Sequence, residues 1–218
     1  MEIKILKNVM IKNNAIGDDN RKLFNEKNVF TINLTSSPGS GKTTLIETTL
    51  KMINKEFKNA VIEGDLYTSR DAQRLQQFNI PLVQINTEGG CHLDARQIYH
   101  SVEQLELEEL DLLFIENVGN LVCPAEYDLG EHKRVLIYSV TEGDDKPQKY
   151  LNMFKAADLI LINKIELAEI CRIDLDLVEN EIREINPGAE VFRICALEEK
   201  TLKEWIQWLR TGIKSENR

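Results

Sequence analysis

Ser36-Ser37-Pro38-Gly39-Ser40-Gly41-Lys42-Thr43 decides the fold class. An apolar run, Val29 to Thr35, leads into it, and a helical pattern, Thr44 to Ile53, leads out. Strand, glycine-rich turn and helix in that order build a phosphate-binding loop. Gly39 and Gly41 let the backbone curl until successive N–H groups, with Ser40 between them, point inward at phosphate oxygens. The helix N-terminus, through Thr44, adds partial positive charge at the same nucleotide-binding spot. Lys42 is placed to reach the β and γ phosphates, and Thr43 to put its hydroxyl on Mg²⁺. The general pattern opens on a glycine where this chain has Ser36; the Gly41-Lys42-Thr43 end is intact. The competing account is a glycine-rich turn with a chance Gly-Lys-Thr, and the strand before and helix after weigh against it.

Outward from the loop, 218 residues suit one domain with a core that needs no staples. Thirty-six acidic against 27 basic side chains leave a formal charge of −9, which disfavours a nucleic-acid partner. No apolar run approaches the roughly 20 residues of a membrane span. Met1-Glu2-Ile3-Lys4 lacks the apolar core of a signal peptide. Cys91, Cys123, Cys171 and Cys195 are widely scattered, so reduced thiols in a cytoplasmic protein are expected.

Residues 1–28 form a helical lead-in, and 29–218 the domain. In the lead-in, Ile3, Leu6, Val9 and Met10 make one apolar face of a short helix, and Arg21 to Glu26 another turn or two. Asn13, Asn14, Gly17, Asp18 and Asp19 are expected to interrupt them. From residue 29, strand-like runs at 29–35, 60–63, 82–85, 112–116, 134–140, 159–162 and 190–194 alternate with helical stretches near 44–54, 70–78, 93–108, 147–156, 176–185 and 199–210. Short, nearly all-apolar strands are buried on both faces. The alternation predicts an α/β domain with a mostly parallel sheet of about seven strands flanked by helices. Ligands in such sheets sit at the carboxyl ends of the strands, so function is sought there.

After the second strand stands Asp65, facing the γ-phosphate position, with Asp71 six residues on. Either acid could orient the attacking water, Asp65 could also help hold Mg²⁺, and the bland account of Asp71 is a helix cap. After the third strand, Gly89 and Gly90 bend the chain into Cys91-His92, which open a helix whose dipole favours the thiolate. The fourth strand ends Glu116-Asn117-Val118-Gly119 and runs on to Cys123. Acid-x-x-Gly at that place supplies a Mg²⁺-side acid, Glu116, and a phosphate-sensing N–H, Gly119. If strands three and four are neighbours, Cys91, His92 and Cys123 emerge together. They make three soft ligands for Zn²⁺ or Ni²⁺, with water or a second chain as the fourth. His100 is about 12 Å of helix beyond His92 and reads as an outer partner or structural. His132 has no motif partner, and Cys171 and Cys195 read as ordinary thiols.

After the sixth strand comes Asn163-Lys164-Ile165-Glu166, where guanine-binding proteins usually carry Asn-Lys-x-Asp. Glu166 keeps the carboxylate acceptor and adds one methylene, so guanine preference is expected in weakened form; the bland account is a Lys/Glu-bearing helix start. Ala196, in Cys195-Ala196-Leu197, stands where a second base-contacting loop would lie.

Taken together, SSPGSGKTTLIE, GGCHLDARQI, LLFIENVGNLVCPAEYDLGEHKRV, TEGDDKP and DLILINKIEL resemble the HypB family, the GTPases that help insert nickel into [NiFe]-hydrogenase. The resemblance runs from about residue 20 to the C-terminus. It implies a SIMIBI-class fold, Mg²⁺-dependent hydrolysis of GTP to GDP, and a homodimer when GTP is bound. It also implies a Zn²⁺/Ni²⁺ site at the dimer interface built from Cys91, His92 and Cys123. The implied partners are a zinc-containing nickel-insertion protein and the hydrogenase large subunit. Some relatives carry an N-terminal Cys-x-x-Cys or a His-rich tract; this sequence has neither, so separate nickel storage is not expected. The urease GTPase is similar but carries Cys-Pro-His as its metal motif. A chaperone for another nickel or cobalamin enzyme, a nucleotide-regulated metal-binding protein with little turnover, and a small-molecule kinase are the competing readings.

Overall fold

The computed structural model describes residues 8–65 and 70–216, with the side chains at 8, 9 and 70–72 outside that description. Seven strands form one sheet: β1 (Phe30–Ser36), β2 (Asn59–Asp65), β3 (Leu82–Asn86), β4 (Leu112–Glu116), β5 (Lys133–Ser139), β6 (Leu159–Asn163) and β7 (Glu190–Arg193). Their order is β3-β2-β4-β1-β5-β6-β7, and every pairing is parallel. Each strand lies within two residues of its expected bounds. The helices are α1 (Asn8–Glu26), α2 (Lys42–Ile53), α3 (Arg70–Leu75), α4 (Ala95–Val102), α5 (Lys146–Lys149), α6 (Leu151–Ala156), α7 (Leu175–Ile185) and α8 (Lys203–Glu216).

Period-2 alternation divides the core between the two faces. Leu112 and Phe114 pack with Leu45, Ile46 and Leu50 of α2 and with Trp205, Ile206 and Leu209 of α8. Leu113 and Ile115, one residue out of phase, pack with Phe24 of α1 and with Ile98 and Val102 of α4. On the β5–β6 half of that second face, Leu136 and Ile160 meet Phe154 of α6 and Val178 and Ile182 of α7. Helices thus cover both faces, and truncating one such core side chain to alanine costs about 2–5 kcal/mol.

Three expectations are corrected. The lead-in is one continuous helix of 19 residues, not two broken pieces. Its polar positions Asn13 and Asn20 are buried and hydrogen-bonded into the domain, so tertiary contacts override their weak helix propensity. Ile3 and Leu6 lie outside the described residues. Strands β3 and β4 are not neighbours, because β2 lies between them. Helix α4 begins at Ala95, where Asp94 and Gln97 form a capping box, so Cys91 and His92 precede the helix rather than open it.

Candidate nucleotide site and metal centre

Strand β1 sits between β4 and β5, and its connection to β2 leaves on the β4 side while β5 opens the other side. The crevice where connections diverge is the ligand position of an open α/β sheet. The phosphate loop fills it. Gly39 and Gly41 have φ of 74° and 104°, which a side chain would strain. A Cβ on Gly41 would also stand 2.6 Å from Asn163 Nδ2. Lys42 Nζ donates to Ser36 Oγ at 2.9 Å, so the serine that replaces the usual first glycine lies against the loop lysine. Thr43 Oγ1 donates to Glu116 Oε1 at 2.7 Å, and both residues are buried. Gly119 lies against the loop so closely that a Cβ there would stand 2.8 Å from Pro38 Cα. Thr44 Oγ1 accepts from Arg74 Nη2 at 3.0 Å. Asp65 is half-buried at the end of β2. Asp71 falls in α3, and its side chain lies outside the described residues.

The expected base-side residues also converge on the loop. Asn163 Nδ2 donates to Ser40 O at 2.7 Å, and its Oδ1 accepts from Ala196 N at 3.0 Å. Lys164, in the left-handed region at φ 61°, donates from Nζ to Gly39 O at 2.7 Å. Glu166 is exposed. Burial and the hydrogen-bonding Glu166 carboxylate push the Cys195 thiol up from its ordinary value.

Two acids here escaped the sequence reading. Glu142, inside the TEGDDKP stretch, accepts from Ser37 Oγ at 2.5 Å and Ser40 Oγ at 2.7 Å, fastening the loop from the β5 side. Glu63, buried in β2, is in register with Glu116 on β4. Both are visible in the sequence only as acids near strand ends.

The soft-ligand cluster assembles despite the intervening strand. Cys91 Sγ, a His92 ring nitrogen and Cys123 Sγ lie within 4.8 Å of one another, the only such group of three among the described residues. The sulfurs are 3.1 Å apart, and Cys91 Sγ is 3.7 Å from His92 Nδ1. Gly64 explains the reach: a Cβ there would stand 2.8 Å from Leu93 Cδ2, so the chain after His92 crosses the bare end of β2 to arrive beside β4. There Asn117 Oδ1 accepts from Leu93 N at 3.1 Å and from Val118 N at 3.0 Å. Its Nδ2 donates to Asn33 Oδ1 on β1 at 3.2 Å. Asn120 Nδ2 donates to Cys91 O at 3.2 Å. The His92 ring packs on Tyr127 with centroids 3.9 Å apart.

Partial burial pushes His92 below its ordinary value, which favours the neutral imidazole a metal needs. The neighbouring Cys91 thiol pushes Cys123 up. Two thiols and an imidazole at this spacing fit a soft or borderline divalent ion with one position left for another donor. Thr43 with Glu116 fits a hard ion such as Mg²⁺. His100 stands apart, exposed and 3.2 Å from Glu103. His132 is half-buried at the opposite end of β5.

The chain matches the CobW/HypB/UreG nucleotide-binding domain family over residues 30–193. It is 46% identical over 207 residues to the hydrogenase maturation factor HypB of Azotobacter vinelandii, covering 95% of this chain and 68% of that one. The crystal structure of HypB from Archaeoglobus fulgidus superposes with a TM-score of 0.88 at 40% identity, covering 93% of this chain and 99% of that one. HypB from Helicobacter pylori, solved in complex with nickel, superposes at 0.89 with 36% identity, covering 94% and 96%. The signal recognition particle receptor FtsY from Elizabethkingia anophelis shares the fold alone, at TM-score 0.57 and 13% identity over 94% of this chain and 74% of that one. Phosphate loop, all-parallel sheet and relatives agree that this chain belongs to the HypB family, within the CobW/HypB/UreG group of nucleotide-binding domains.

Proposed function

We propose that the chain is a GTP-hydrolysing metallochaperone that supports nickel insertion into [NiFe]-hydrogenase. One observation carries the coupling of nucleotide to metal: Glu116, bonded to Thr43 Oγ1 at 2.7 Å, ends β4, and Cys123 lies seven residues on along the loop that leaves it. In this reading Gly39, Ser40, Gly41, Lys42, Thr43 and Thr44 hold the phosphates, and Gly119 senses the γ-phosphate. Asn163, Lys164, Glu166 and Ala196 hold the base. Thr43, Glu116 and Asp65 would hold Mg²⁺, which when bound supplies neutralisation of phosphate charge. Asp65 or Asp71 orients the attacking water. Cys91, His92 and Cys123 carry the Ni²⁺ or Zn²⁺ cargo.

Gly119 abuts Pro38, so a γ-phosphate that displaces Gly119 also shifts Cys123. GTP binding then closes a homodimer across the cluster, where two chains pool four thiolates and two imidazoles. A zinc-containing insertion protein and the hydrogenase large subunit are the proposed recipients, and the nickel complex of the Helicobacter pylori relative supports the choice of metal. Native mass spectrometry of reduced, anaerobic protein tests this. With Mg²⁺ and a non-hydrolysable GTP analogue, a dimer carrying shared Ni²⁺ is expected, and it is lost in Cys123→Ala. Equal metal content and a monomer with either GDP or the analogue would overturn the reading.

A further inference from the structure

Helix α1 does more than cover the sheet. Asn13 and Asn20, both buried, face the start of α4 and the 128–130 turn. Asn13 Oδ1 accepts from Ala95 N at 2.9 Å, and its Nδ2 donates to Asp128 O at 2.8 Å. Asn20 Nδ2 donates to Ala95 O at 2.8 Å and to Leu129 O at 2.9 Å. Arg21 Nη2 adds a fork to both Asp128 carboxylate oxygens, at 2.6 and 2.8 Å. The approach is tight. A Cβ on Gly17 would stand 2.9 Å from Asp128 O, and one on Gly130 would stand 2.5 Å from Gly17 O.

The residues so gripped are the far anchors of the two ligand loops. Ala95 follows His92 by three positions, and Asp128 follows Cys123 by five. Each asparagine joins both loops with a single planar amide. The pair therefore fixes the distance between the loops from the side away from the nucleotide, while Asn117 ties Leu93 on the nucleotide side. Asn20 Oδ1 is buried without a hydrogen-bond partner. A buried acceptor left unsatisfied works against stability, so the amide is held in place by its two carbonyl contacts.

We propose that α1 is a positioning strap for the thiolate–imidazole site, with Asn13 and Asn20 as positioning residues that set the separation of the Cys91–His92 and Cys123 loops and so the metal affinity. The proposal rests on the reading of that cluster as a metal site. Groups bonded directly to metal ligands typically contribute about 10- to 100-fold to affinity, and Asn13 and Asn20 act one step further out, through the Ala95, Asp128 and Leu129 backbone.

The test is anaerobic titration of the reduced protein with Zn²⁺ against a chromophoric chelator, with the Ni²⁺–thiolate absorption band as a second signal. Nucleotide affinity is measured in parallel. Asn13→Ala and Asn20→Ala are each expected to weaken Zn²⁺ binding by about 10-fold, the lower end of what a direct partner of a ligand contributes, and to shift the band. Nucleotide affinity should stay within about twofold. Arg21→Ala, which removes the half-exposed fork to Asp128 and an exposed pair with Asp18, is expected to weaken Zn²⁺ by a smaller factor and keeps the test open if a buried variant misfolds. Trp205→Phe loses a buried bond to Thr49 on the opposite face and serves as a destabilised control with unchanged Zn²⁺ affinity. Variants in α1 that lower the melting temperature yet keep wild-type Zn²⁺ affinity and band would overturn the strap. Wild-type protein that binds no better than Cys123→Ala would instead overturn the metal reading beneath it.

Discussion

The two ends of the 116–123 loop are built differently. At Glu116 the chain is still in a strand, buried, with its carboxylate on Thr43 and its neighbours in parallel register. At Cys123 it is half-exposed, next to an exposed Val122, and placed by side-chain contacts from Asn120 and Cys91. The nucleotide end is positioned by the sheet itself, and the metal end by amides borrowed from elsewhere. A stiff end joined to an adjustable one is what a device needs if phosphate chemistry is to alter metal ligation, because displacement accumulates where the packing is thinner.

Substitutions can separate the two ends. The largest effect is expected from Cys123→Ser, which removes a ligand outright: Zn²⁺ affinity by chelator competition should fall beyond the about 10- to 100-fold of an outer partner, with GTP affinity unchanged. Next is Lys42→Ala. Charged hydrogen bonds contribute about 1.5–3 kcal/mol, so calorimetry should show GTP binding weakened by about 10- to 100-fold. Resting Zn²⁺ affinity should not move; if it does, the two ends are one rigid unit and the contrast fails.

Asn117→Ala strikes the tie between them. It leaves the buried N–H groups of Leu93 and Val118 without their acceptor, at about 1–3 kcal/mol by chemical denaturation. More informatively, the difference in Zn²⁺ affinity between GDP and GTP-analogue states should shrink while each site still binds.

The smallest effect concerns pH and the end of the sheet remote from both sites. His132 Nδ1 accepts from Thr31 N at 3.0 Å, and burial holds the ring below its ordinary value of 6.5. The Glu216 carboxylate, 3.5 Å away, and Glu131 oppose that shift, while Lys133 and Arg21 add to it. The unfolded chain therefore takes up this proton first as pH falls. Stability from His132 is complete above about pH 6.5 and is lost progressively below it, until the lower folded value is reached. His132→Asn should flatten that part of a melting-temperature profile and leave GTP and Zn²⁺ binding untouched.

The contrast also explains what could be read in advance. The phosphate loop, the strand ends and Asn163-Lys164 are contiguous patterns, and periodicity placed all seven strands to within two residues. The metal ligands were legible as residue types, yet the proposed reason for their meeting, adjacent strands, does not hold. Their meeting depends on Gly64 having no side chain and on Asn117 reaching Leu93, neither of which leaves a periodic trace. Asn13 and Gly17 looked like breaks in a helix because propensity sees only the local chain. Both are among the points where that helix touches the domain. Glu142 and Tyr127 lie inside quoted motifs, but nothing local distinguishes an acid or an aromatic that meets a partner so far along the chain.

Helix α1 also gives the molecule a direction. It runs from the ligand-loop end, where Asn13 meets Ala95, to the opposite end of the sheet, where Asn25 accepts from His132 Nε2 at 2.8 Å. Helix α8 finishes at that same far end, with Glu216 beside His132. For surface-captured assays this is an orientation rule. A linker on exposed Lys214 leaves both sites facing free solution, whereas one on exposed Lys12 turns the metal end toward the support. Kinetics from the two immobilisations would differ for reasons of access alone, and a soluble partner protein would feel that difference before a nucleotide did.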